Sequence, residues 1–160
     1  MLHAMHLHDS IPSLDGASRW IGGGPVDAAR LRGRPVLLHL WSSACATCRE
    51  QLPSLKRWEE AFGPRGLQIV SVHTRSTPEQ TDEEAIAIAR AAGLDHPMAL
   101  DAPGAPIASR LGARFVPTYY VFDGHGGLRH VQAGYHADAG TEAALRRVIG
   151  EAEDERAASA

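Results

Sequence analysis

The sequence predicts an α/β protein built on a central mixed β-sheet with helices on both faces. Three observations carry this. Helical and strand patterns alternate along the chain. The runs VLLHLW and LQIVSVH are almost wholly apolar, as strands covered on both sides are. Towards the C-terminus, two strand patterns flank the turn DGHGG, which joins neighbours in antiparallel fashion. From Val36 onward the order reads β-α-β-α-β-α-β-β-α.

The elements follow in turn. Gly33-Arg34-Pro35 is a turn signal, and Val36–Trp41 behind it is a central strand. Over Ala46–Phe62, Leu52, Leu55, Trp58 and Phe62 recur at helical spacing with Lys56, Arg57, Glu59 and Glu60 between them; Gly63, Pro64 and Gly66 stop the helix. Residues 67–73 form the second buried strand. Asp82, Glu83 and Glu84 stand where the positive end of a helix favours acids, and helix formers run from there to Gly93. Residues 98–100 suit a short strand and 105–111 a short helix. Thr118–Phe122 (TYYVF) is rich in aromatic and β-branched residues, Leu128–Ala133 pairs back onto it, and a last helix covers 137–152.

With 160 residues, 44% of them hydrophobic, the chain is expected to be one domain with one sizeable core over about 11–150; residues 1–10 and 151–160 are expected to be flexible tails. A formal net charge of -3 without any basic run offers no footprint for nucleic acid. No apolar run approaches the roughly 20 residues that span a bilayer. The start, MLHAMHLHDS, lacks the basic and apolar regions of a signal peptide, so a cytoplasmic location is expected if the chain is whole and an extracytoplasmic one if a leader or anchor has been removed.

Both cysteines lie in WSSACATCREQLP, residues 41–53. They read as a redox couple, a metal claw or a structural staple. The staple is the weakest, because closing so short a loop removes little entropy from the unfolded chain. Cys45 falls just after the central strand, at the first turn of the following helix, where free N–H groups and the dipole stabilise a thiolate. It is the candidate nucleophile. Cys48, three residues on, lies alongside it and is placed to resolve a mixed disulfide. Pro53 inside the helix is expected to kink it. Far along the chain, Val116-Pro117-Thr118 precedes a strand, and by local sequence alone Pro117 is an ordinary trans proline at a strand start.

WSSACATCREQLP followed by FVPTYYVFD resembles the thioredoxin fold, and the surrounding segments are similar to its TlpA/ResA-like branch of thiol-disulfide oxidoreductases. IPSLDGASRWIGGGPVDAARLRGRPVLLHLW, LPSLKRW, GLQIVSVHT, HPMALD and GLRHVQAGY resemble the thioredoxin-like domain of DipZ-type proteins, over nearly everything from 11 to 149. The resemblance implies that Cys45 is the exposed attacking thiol and Cys48 the buried resolving one. It implies that Pro117, after Val116, is a cis-proline whose loop faces the pair and holds substrate backbone, and that Trp41 packs beneath the site. The chain departs from the pattern at Ala46-Thr47 between the cysteines, at Ala44 before them, and at His39, where relatives bury an Asp or Asn.

His39, between Leu38 and Leu40, is expected to project into the core beneath Cys48. Two roles are open to it: a neutral imidazole taking the Cys48 proton, or a core histidine bonded to a backbone carbonyl. His3, His6 and His8 with Met1 and Met5 form a soft-ligand cluster at the N-terminus, read as an unliganded tail, and a zinc site on Cys45, Cys48 and His39 lacks a visible fourth ligand. His73-Thr74-Arg75 ends a strand where α/β sheets place ligand sites, with a solvated strand end as the other reading. Arg49 and Glu50 read as exposed helix residues, and His125, His130 and His136 as surface.

The expectation is a thiol-disulfide oxidoreductase with the Cys45–Cys48 couple as its redox centre and no cofactor, acting as a monomer on protein thiols or disulfides and a redox partner protein. The alternatives are a metal-binding or metallochaperone module and a thiol peroxidase. The direction of electron flow stays open.

Overall fold

The computed structural model describes residues 4–160. Six strands form one sheet in the order β1-β4-β3-β2-β5-β6, with β1 Ala17–Ile21, β2 Val36–Trp41, β3 Gln68–His73, β4 Met98–Asp101, β5 Thr118–Phe122 and β6 Leu128–Ala133. The pairs β2·β3 and β3·β4 are parallel and the other three antiparallel, as a mixed sheet requires. The helices are α1 Ala46–Phe62, α2 Asp82–Ala91, α3 Pro106–Leu111 and α4 Ala137–Ala158.

Every residue of β2 is buried, His39 included, which is what its almost wholly apolar run foretells for a strand flanked on both edges and both faces. Alternate β2 residues serve opposite layers. Leu38 and Leu40 join Val70, Val72, Ile107 and Leu111, the core under α3 and the N-terminal segment. Leu37 packs with Leu55, Trp58, Leu145 and Ile149 from α1 and α4, while Trp41 packs with Cys48, Leu52, Ala85 and Ile86 from α1 and α2. His39, between Leu37 and Trp41 on β2, therefore faces the α1 layer.

Three boundaries differ from the sequence reading. β1 has no counterpart there: it is a half-exposed edge strand without apolar alternation, and it exists through its ladder to β4. The last helix continues past residue 152 to Ala158, with Arg65 paired to Glu153 and Arg129 to Glu151, side-chain partners from distant segments. Near the other end, His8 N–H donates to Leu128 O and Leu128 N–H to Asp9 O, and Ser10 bridges Gly127, so residues 8–10 pair with the start of β6. Thr81 and Glu84 form a reciprocal capping box at the start of α2. For α3, the buried Asp101 carboxylate accepts from Ile107 and Ala108 N–H at 3.0 and 2.9 Å.

Candidate active site

β2 delivers the chain to the edge of the sheet, and the loop 42–45 turns it into α1. Cys45 is the N-cap of α1 with extended φ/ψ of -91° and 111°, and its Sγ accepts the Cys48 N–H at 3.1 Å. The sulfur thus takes the place of the capping oxygen at a helix start, where N–H groups and the dipole favour an anion. Cys45 is partly exposed; Cys48, one turn in, is buried against Trp41 and Leu52. Burial pushes the Cys48 thiol well above its ordinary range, and the neighbouring Cys45 sulfur adds to it. Both cysteines are free thiols.

Val116, in the loop that enters the neighbouring strand β5, lies at the same end of the sheet, and its carbonyl is 3.7 Å from Cys45 Sγ. The Val116–Pro117 peptide is cis, as the resemblance implies and unlike the reading from local sequence alone. Thr118 Oγ1 donates to Phe115 O at 2.6 Å, and Gly134 N–H donates to Pro117 O at 2.9 Å, fixing this loop to β6. Pro53 stands on the exposed face of α1, which runs unbroken across it.

The loop beneath the sulfurs is held by a buried polar network. His73 Nε2 accepts from Ser43 N–H at 3.0 Å, so that nitrogen is bare and the ring neutral; burial drives its pKa down to about 4. His73 is 1% exposed and is not a solvated strand end. Gln80 donates to Ser42 and Ser43 Oγ and accepts from the N–H groups of Ser76 and Thr77. On α1, Gln51 accepts from Tyr119 O–H at 2.8 Å and donates to Gly134 O at 3.0 Å, linking the cysteine helix to the loop beside Pro117. Gln51, Gln80 and Tyr119 escape sequence reasoning because their partners are distant; the one legible sign is a glutamine at a position of apolar helical spacing.

His39 is fully buried, and burial lowers its pKa to about 3. It bonds no backbone carbonyl. Nδ1 lies 3.0 Å from Ser71 Oγ, its register neighbour on β3, while Nε2 has no hydrogen-bond partner. Its ring stacks on Tyr119, its register neighbour on β5, with centroids 5.0 Å apart.

Among the described residues, no group of three or more His, Cys, Asp or Glu is arranged to hold a metal ion. His3 lies outside the described residues. Arg49 and Glu50 are exposed, Arg49 donating to Ser43 O at 3.1 Å. His125 pairs with Glu155, His130 is half-buried beside Gln132, and His136 is exposed.

The Redoxin family profile matches residues 9–149. The thiol-disulfide oxidoreductase YkuV of Bacillus subtilis is 30% identical over 150 residues, covering 93% of this chain and all of that protein. Protein DipZ of Mycobacterium tuberculosis is 31% identical over 148 residues, covering 88% of this chain but 21% of DipZ. A thioredoxin-like protein solved in solution in its oxidised form superposes with a TM-score of 0.84 at 30% identity, over 92% of this chain and 99% of that one. A DsbE-type interchange protein from Chlorobium tepidum shares the fold at a TM-score of 0.75 and 21% identity, over 93% of this chain and 99% of that one. A thiol pair at a helix mouth, a cis-proline loop against it and matches over this length lead to one assignment: the chain is a member of the Redoxin family, among its TlpA/ResA-like thioredoxin-like proteins.

Proposed function

We propose that this protein is a thiol-disulfide oxidoreductase acting on protein thiols or disulfides. The observation that carries the reading is the sulfur of Cys45, half-exposed at the mouth of α1 and bonded to the N–H of Cys48, with the cis-proline loop against it. In the reducing direction the Cys45 thiolate attacks a substrate disulfide, one S–S bond breaking as the mixed disulfide forms and one substrate thiolate leaving. Cys48 then loses its proton and attacks Cys45 Sγ, closing the Cys45–Cys48 disulfide and releasing the second substrate thiolate. Two electrons pass from the pair to the substrate, and the reverse sequence oxidises a dithiol.

Cys48 stays protonated until the mixed disulfide has formed, because burial and the neighbouring sulfur oppose a second anion there. Pro117 and Val116 present the edge against which an extended substrate segment lies, held by backbone hydrogen bonds. Trp41 forms the floor under Cys48. The protein acts as a monomer with a redox partner protein, and the disulfide itself is the only redox group needed.

Redox titration against glutathione tests this. The reading requires a reversible Cys45–Cys48 disulfide, lost in Cys45→Ser and in Cys48→Ser, and turnover of a protein disulfide such as insulin's. A pair that stays dithiol across the whole glutathione range refutes it, and rapid peroxide consumption without disulfide exchange transfers the assignment to a thiol peroxidase.

A further inference from the structure

A cleft of about 270 Å³ opens next to Val116, whose carbonyl lies 3.7 Å from Cys45 Sγ. The end of β2, the loop after β3, α3 and the loop entering β5 enclose it. That volume is small for a whole ligand and suits a single side chain. Its floor is Leu40, Ala105, Ala108, Ala113 and Val116, so the hollow exists because alanines stand where larger side chains would fill it. Ala105 holds left-handed φ/ψ of 51° and 55°, a conformation that costs any residue with a Cβ and that gathers at ligand clamps. The facing wall is fixed as well. Gln80 accepts from Ser76 and Thr77 N–H and donates to the Ser42 and Ser43 hydroxyls, which ties loop 74–77 to the cysteine loop. The cleft is therefore formed before anything enters it.

The rim offers donors and no negative charge. Thr74, Ser109 and Arg114 line it, and among the described residues none of these three side chains has a hydrogen-bond or ion-pair partner. Arg114 is exposed and is the one charged residue of the lining. Arginines on neighbouring segments are engaged: Arg49 with Ser43 O, Arg75 with Asp82, and Arg110 with the carbonyls of Ser13 and Asp15. A guanidinium accepts nothing, a hydroxyl can donate, and an ionised carboxylate is the side-chain group that only accepts.

We propose that this cleft is a specificity subsite for a glutamate of the substrate polypeptide, with its methylenes on the alanine floor and its carboxylate on Arg114. This rests on the exchange reading above. A segment lying extended along the Val116–Pro117 edge turns alternate side chains towards the protein, roughly 7 Å apart. With the substrate cysteine over Cys45, the side chain that meets the adjoining cleft belongs to the residue two positions away. Glutamate suits the cleft better than aspartate because its second methylene adds apolar contact with the floor. Glutamine keeps the shape and loses the charge. Arg114 determines which polypeptide is held and takes no part in the sulfur chemistry.

Single-turnover reduction of peptide disulfides tests this. Disulfide-linked homodimers of a peptide with one cysteine carry Glu, Gln or Lys two residues before or two residues after that cysteine. Each is mixed with excess reduced protein, and acid-quenched samples are separated to follow release of the peptide thiol. The wild type is expected to favour Glu over Gln about 5-fold at low salt in one of the two positions, the upper range for an exposed ion pair, and the ratio should fall as salt rises. Arg114→Gln should bring that ratio to one, and Arg114→Glu should place Lys ahead of Glu. Every variant meets the same peptides, so differences among the peptides' own thiols cancel. A wild type that does not distinguish Glu from Gln at either position, or a Glu preference that survives in Arg114→Gln, overturns the subsite while exchange stands. A wild type that reduces none of the peptides overturns the exchange reading instead.

Discussion

The Val116 carbonyl lies 3.7 Å from Cys45 Sγ, although 71 residues separate them in the chain. β5 lies directly beside β2, so the loop entering β5 and the loop leaving β2 open at the same edge of the sheet. That adjacency builds the site from two segments that local sequence does not connect.

The same edge displays two large side chains to solvent. Phe115 is 69% exposed immediately before Val116, and Tyr135 is 71% exposed immediately after Gly134, whose N–H holds Pro117 O. Both therefore stand in the chain next to residues of the Val116–Pro117 loop and its anchor, and are free to meet a polypeptide that docks there. Phe115→Ala and Tyr135→Ala are expected to raise KM for a protein disulfide several-fold, on the order of 1 kcal/mol per side chain, and to leave the rate with a small-molecule disulfide unchanged. Steady-state kinetics with both substrates checks this.

Tyr119→Phe removes the hydroxyl that satisfies Gln51 in the interior. The unpaired amide oxygen is expected to cost about 1 to 3 kcal/mol of stability. It should also loosen the link from α1 to Gly134. Denaturant unfolding gives the first quantity, and exchange of the Gly134 region's amides the second.

Acid should weaken the fold well before the carboxylates titrate. His39 and His73 have pKa values lowered by burial from 6.5 to about 3 and about 4, so below 6.5 the unfolded chain binds protons that the folded one refuses. Their stabilising effect is complete above 6.5 and is lost as pH falls towards those lower values, at about 1.4 kcal/mol per pH unit for each histidine. His39→Leu should flatten the stability profile over this window, as measured by urea unfolding at a series of pH values.

Much of this was legible in the sequence, and for identifiable reasons. The apolar run 36–41 announces a doubly covered strand, and Cys45 before a helical pattern announces a capped sulfur, because both depend on neighbours in sequence. β1 was not legible, since its residues are half-exposed and their order comes from β4. The polar residues Gln51, Ser71, Gln80 and His96 were not legible as a group either, because each is defined by a partner 25 or more residues away. His39 was legible as buried, and of the two roles open to it the bond to a backbone carbonyl is not what forms: its Nδ1 partner is a serine, set opposite it by the parallel register of β2 and β3.

The central claim is that Cys45 carries the bond to the substrate and Cys48 releases it. Cys48→Ser incubated with a disulfide-bonded protein, followed by mass spectrometry of the adduct, tests that most directly. The account predicts a stable mixed disulfide through Cys45, one substrate per chain, discharged by added dithiol. No adduct, or an adduct that persists in Cys45→Ser through Cys48, contradicts it.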